Sequence, residues 1–224
     1  MTGWLKNFFN ALCFMSLITA AACNSALEPQ VLEISQSINS LRGTHFERLP
    51  EVILKYNTVH DSIEADEPHK IAALKASVLE HVSDGDTMYV AATVVMYNPQ
   101  DAAGLIMRHC IDVAKSEASL FEKRARISDI VAITRFVYAK SGEPSSIGEW
   151  ETALDNAVAG LPALEQALLY TSISTPAILG KMLSAHDDPT AAGKIADEVR
   201  KIYADTPDLL EQFNNHYNCN NKKP

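Results

Sequence analysis

Eight prolines divide this chain into segments about as long as a short helix. Pro50, Pro68, Pro99, Pro144, Pro162, Pro176, Pro189 and Pro207 each stand at the head of a stretch with helical periodicity. Proline is excluded from helix interiors but suits the first turn, where its missing N–H costs nothing and its φ is already set. Side chains able to cap a helix precede several of them: Asn98, Thr175, Asp188 and Thr206. Prolines placed this way leave little room for long strands and ask for many helices joined by tight turns.

The apolar spacing agrees. Leu27, Val31, Ile34, Ile38 and Leu41 form one helical stripe, which Gly43 ends. Later stripes run through Leu49, Val52, Ile53 and Tyr56; through Ile71, Leu74, Val78 and Val82; and through Leu105, Ile106, His109 and Val113. The clearest is Ile127, Ile130, Val131, Thr134, Val137 and Tyr138, and five more follow it to Tyr217. One segment reads both ways. Met88 to Tyr97 is rich in β-branched residues, which favours a strand, but Asp86 as a cap and Pro99 beyond the end favour a buried helix. A lone strand has no partner elsewhere, so the helix is expected. The fold class is therefore all-α, with about ten short helices in antiparallel pairs. They form either a superhelical stack similar to HEAT or TPR arrays or an irregular helical bundle. No fixed-period repeat is visible.

The first 22 residues differ from the rest. Lys6 precedes an apolar run from Phe8 to Ile18, and Thr19, Ala20, Ala21 and Ala22 lead to Cys23. A short basic region, an apolar core and a small-residue end make a secretory signal, with a core shorter than the ~20 residues a membrane span needs. Ala20-Ala21-Ala22 suits ordinary signal peptidase. Ala20-Ala21-Ala22-Cys23 also resembles the bacterial lipoprotein export signal, with Ala20 where that class prefers Leu. The resemblance implies a Cys23 whose thiol is diacylated and whose new amino terminus is acylated. Asn24, rather than the Asp that retains some lipoproteins in the inner membrane, implies sorting to the outer membrane, facing the periplasm. A soluble periplasmic or secreted protein is the alternative. The remaining chain reads as one all-helical domain, residues 23–213, followed by a polar Asn-rich tail, 214–224. The loop from Ser141 to Ser146 is the best boundary if there are two lobes.

Of four cysteines, Cys13 lies in the leader and Cys23 is the lipidation candidate. That leaves Cys110 and Cys219 as a disulfide candidate, closing a loop worth up to about 4.7 kcal/mol in the chain-entropy model. The competing reading makes Cys110 a small buried hydrophobe on its helix stripe.

Signals of chemistry are sparse. There is no GxSxG, SxxK, HExxH, CxxC or phosphate loop, and no two of the seven histidines stand four apart. Three polar clusters remain. His60, Asp61 and Glu64 are weak candidates for a metal, Asp84-Gly85-Asp86 is a fragment of a calcium loop, and His186-Asp187-Asp188 reads as a helix cap. Glu149, Glu151 and Glu165 are carboxylates a fold might use as a general acid. Lys123, Arg124 and Arg126 form the densest basic spot and are expected to face solvent. With 28 acids against 19 lysines and arginines, a nucleic-acid ligand is excluded. No catalytic residue, metal or cofactor is expected. The function expected is an envelope protein that binds a protein partner, as an accessory or assembly lipoprotein or a periplasmic toxin-immunity protein, tied to the membrane through its N-terminal lipid. The alternatives are a helical hydrolase acting on peptidoglycan or lipid, and a carrier of an apolar ligand.

Overall fold

The computed structural model describes residues 27–42, 45–63, 65–82, 85–142 and 145–217. All regular structure among them is helical. Helix α1 spans 27–39. A 3-10 turn, His45–Arg48, leads into α2, Leu49–Asp61, which is followed by α3, Pro68–Glu80, and α4, Gly85–Met96. Then come α5, Pro99–Lys115; α6, Leu120–Ser141; α7, Ser145–Val158; α8, Ala163–Ile173; α9, Pro176–Ala185; α10, Pro189–Ile202; and α11, Pro207–His216. The described residues fall into two compact units, one up to Met96 and one from Tyr97 onward. The division falls directly after α4 and not in the 141–146 loop.

Six of the eight prolines occupy the first turn of a helix, in α2, α3, α5, α9, α10 and α11. Pro162 sits one residue earlier, as the extended residue before α8. Pro144 lies outside the described residues. Three expected caps form. The Asn98 side chain accepts from the Asp101 amide, Thr175 from that of Ile178, and Asp188 from those of Thr190 and Ala191. Thr206 does not cap α11, because its hydroxyl donates to the Tyr203 carbonyl at the end of α10.

The first unit is built on α2 and α4, with the 3-10 turn against α2 and α3 against α4. Val31, Ile34, Ile38 and Leu41 are buried, and polar links join α1 to its neighbours. Lys55 of α2 reaches Glu33 at 3.3 Å, and the Asn39 amide donates to the His81 carbonyl beyond α3 at 3.1 Å. The segment from Met88 to Tyr97 is helical through Met96, as expected. Seven of the residues in α4 are buried, around most of its circumference. That explains the ambiguous sequence: a helix enclosed on most sides has no polar face to reveal its period. Thr93, buried among them, donates its hydroxyl to the Tyr89 carbonyl at 2.7 Å. Asp86 lies within the first turn of α4 rather than ahead of it, and Gly85 opens the helix at φ +54°.

The second unit is a two-layered stack. Helices α6, α8 and α10 pack in succession as one layer, and α5 with α7 and α9 with α11 form the other. Except for α7 and α9, each helix packs on the next but one, as short-linked antiparallel pairs do when they stack. Within it, the six residues of the α6 stripe are all buried. Each buried Ile or Val there contributes about 1.5–3 kcal/mol. The last helix runs through His216, and Tyr217 stacks on Phe213 at 5.4 Å, so residues 214–217 belong to the body.

Gly180 allows α9 to meet α11. A methyl group there would lie 2.8 Å from the Phe213 carbonyl oxygen and 3.0 Å from His216 backbone and Cβ atoms. Gly193, in α10, has open space around it. Alanine favours a helix by about 1 kcal/mol over glycine at either site. At Gly180 the clash is with backbone, and overpacking of about 1–3 kcal/mol wins. Gly180→Ala is therefore expected to lower the thermal midpoint and Gly193→Ala to raise it, measured by circular dichroism.

Candidate functional site

The second unit holds a small set of desolvated polar groups. Tyr138 is the last residue of the α6 stripe and is 2% exposed. Its hydroxyl, one oxygen of Glu149 in α7 and one oxygen of Glu165 in α8 are buried without a hydrogen-bond partner among the described residues. Burial, and secondarily the Glu149 carboxylate, push the Tyr138 phenol well above the ordinary tyrosine range. The phenol therefore stays protonated and can donate, while the carboxylate can accept. Glu149 and Glu165 are half-buried, and the side chain of Glu151 lies outside the described residues.

A second set of side chains joins α6, α10 and α11. The Arg124 guanidinium lies over the Tyr203 ring at 5.3 Å, and Tyr203 meets Phe213 at 6.5 Å. Arg200 lies over Phe213 and Tyr217, at 5.9 and 5.2 Å, and is held by Asp197 at 2.9 Å and Asn214 at 3.2 Å. Cation–π contacts of this kind are worth about 0.5–2 kcal/mol each. The basic spot expected to face solvent is thus partly absorbed into the fold: Lys123, Arg124 and Arg126 are all half-buried, and Arg124 packs on an aromatic ring. The sequence signal for this set was Phe213 and Tyr217 four residues apart on one helix face.

The histidines mostly bond locally. His81 pairs with the Ser77 carbonyl at 2.7 Å and His216 with that of Gln212 at 2.9 Å. His186 accepts from the Asp188 amide at 3.0 Å. Asp188 is the cap that its cluster suggested, and bonds from the Ala191 and Thr190 amides hold its carboxyl below the usual carboxylate range. His60 and Asp61 are paired at 3.1 Å on the first unit, and Tyr56 lies beside the imidazole. Glu64, which completes that metal candidate, lies outside the described residues. So does Asp84 of the calcium-like fragment. No group of three His, Cys, Asp or Glu able to hold a metal ion stands among the described residues. Cys110 is fully buried in α5. Cys219, its candidate disulfide partner, lies outside the described residues, as do Cys23 and the leader.

Among the described residues, no helix is long and apolar enough to cross a membrane. Several large apolar side chains are nevertheless exposed. Ile178 and Met182 stand one turn apart on α9, 52% and 41% exposed, and Phe121 at the start of α6 is 83% exposed. No protein-family model, curated protein or solved structure matches the chain.

The buried phenol gives a pH test. Its raised value means that folding favours the neutral form. That stability is complete below the ordinary tyrosine value of about 10 and is lost as pH rises above it. Tyr138→Phe removes no hydrogen bond to a described residue, so at neutral pH stability should change by less than about 1 kcal/mol. Between about pH 9 and about pH 11 the variant should lose less thermal stability than the parent, whose remaining loss includes Tyr203, raised by burial.

Proposed function

We propose that this is an exported, lipid-anchored helical binding protein of the bacterial cell envelope, placed at the outer membrane and facing the periplasm. Its role is that of an accessory or assembly lipoprotein, or of an immunity protein that captures a toxin. The observation that carries the reading is the run Ala20-Ala21-Ala22-Cys23 after the apolar stretch Phe8–Ile18. A cysteine preceded by small residues in that position resembles the lipoprotein signal, and two or more acyl chains give stable anchoring.

The binding half of the reading is supported by surface chemistry. Stacked helix pairs present extended faces to a partner. On α9 the exposed Ile178 and Met182 form an apolar pair with Lys181 between them, also exposed. The excess of acids over bases suits rapid capture of a basic partner. A photo-crosslinking side chain introduced at Ile178 tests this in intact cells. The expected result is one discrete adduct that disappears when Met182→Asp is added and circular dichroism is unchanged. No adduct, or an adduct indifferent to Met182→Asp, would sink the assignment of this face.

A second reading, a helical hydrolase acting on envelope polymer or lipid, is favoured by the buried carboxylate oxygens of Glu149 and Glu165. Hydrolysis of cell-wall or lipid substrate by the purified protein, lost in Glu165→Gln or Glu149→Gln, would replace the binding reading.

A further inference from the structure

The turn between α5 and α6 carries an apolar tip in a basic setting. Phe121 is 83% exposed, the most exposed of the large hydrophobic side chains among the described residues, and Leu120 beside it is 41% exposed. Both belong to the first turn of α6, where the chain re-enters the helix after Ser116–Ser119. Their position is fixed rather than frayed. Ser119 and Glu122 form a reciprocal cap, in which the Ser119 hydroxyl accepts from the Glu122 amide and the Glu122 carboxylate accepts from the Ser119 amide at 2.9 Å. A rigid helix start that leaves a phenylalanine in water is a cost the fold does not need, since Ile127, two turns later, begins the buried stripe.

Along the chain, the charges flanking the tip run against the rest of the sequence. Between residues 115 and 126 there are four cations, Lys115, Lys123, Arg124 and Arg126, and two acids, Glu117 and Glu122. The chain as a whole has net charge −9. One of the two acids, Glu122, is engaged in the cap, and the Ser119 bonds hold its carboxyl below the usual range. Lys115, which ends α5, is exposed, and Lys123 is half-exposed. Arg124 lies over the Tyr203 ring at 5.3 Å, a contact that keeps its positive charge.

We infer that Leu120 and Phe121 enter an anionic phospholipid surface, with Lys115, Lys123 and Arg124 meeting its headgroups. An apolar wedge flanked by cations is the chemistry that binds such interfaces: the apolar groups enter at the acyl boundary while the cations answer the negative headgroups. In a protein of net charge −9, this segment carries two more cations than acids and so complements an anionic bilayer. The contact is separate from the acyl anchor proposed at Cys23 and would hold the second unit against the membrane with or without it.

The test reads position 121 itself, in a chain whose Cys23→Ser change leaves no thiol at that position to acylate, so an acyl tether does not enter. The full chain carrying Phe121→Trp and Cys23→Ser is mixed with vesicles of phosphatidylcholine alone, or with about one third phosphatidylglycerol, each containing brominated acyl chains. The parent chain supplies the background from Trp4 and Trp150. The expected result is a blue shift and bromine quenching of the added emission in the anionic vesicles only. Adding Lys123→Glu should weaken the vesicle dependence about tenfold, with helical content unchanged. Emission unshifted in both vesicles would overturn the inference. Equal quenching in both would remove the anionic requirement and overturn it too. A concentration-dependent shift without vesicles would assign the tip to a second copy of the chain instead. Acylation of Cys23, followed separately by mass, can fail or succeed without altering any of these outcomes.

Discussion

Every helix end leaves backbone N–H or C=O groups that its own hydrogen bonds cannot reach, and a chain of many short helices multiplies that burden. The sequence meets it locally at seven of the described helix starts. Asn98, Ser119, Thr175 and Asp188 accept from the amides ahead of them, and a proline in the first turn removes one of those amides in six helices. Gly142 ends α6 in the left-handed conformation at φ +76°, a conformation that side chains strain to adopt. With its ends satisfied in this way, α6 extends for 22 residues and lays its buried stripe against α5 and α8. The two-layered stack of the second unit is assembled on that helix.

Most of the fold was legible because cap, proline and stripe repeat the same message at each boundary. Where the message was mixed, tertiary context decided. The β-branched run in α4 belongs to a helix because nearly every side of it is buried, so a period that reports on solvent carried little information. Thr206 lost its role as a cap to a carbonyl of the preceding helix, a competitor that spacing along the chain does not rank. The Ser119–Glu122 pair is the reverse case, an S-x-x-E signature that spacing alone makes readable and that forms a reciprocal cap. Arg124 looked like one of three solvent-facing charges until the fold brought Tyr203 beneath it.

The candidate site was less legible for the same reason. Glu149 and Glu165 stood among several carboxylates of equal standing, and only burial of one oxygen in each distinguishes them. Tyr138 read as the end of an apolar stripe, and its ring does belong to the core, but its phenol is pushed up by burial and, secondarily, by the charge of Glu149. The exposed tip at Phe121 could not be seen at all from periodicity, since an apolar residue at a helix start is as easily covered as left open.

Large apolar side chains on α9 and at the head of α6 face outward, and the run Ala20-Ala21-Ala22-Cys23 stands ahead of the helical body in the sequence. On the function proposed above, Cys23 becomes the acylated first residue of the mature protein. Mass spectrometry of the N-terminal peptide from the protein purified out of its own envelope addresses this directly. A peptide beginning at Cys23 and heavier by the mass of the acyl chains is the result expected. A peptide that begins at residue 23 or later without that added mass, or one that still carries the leader, would contradict it.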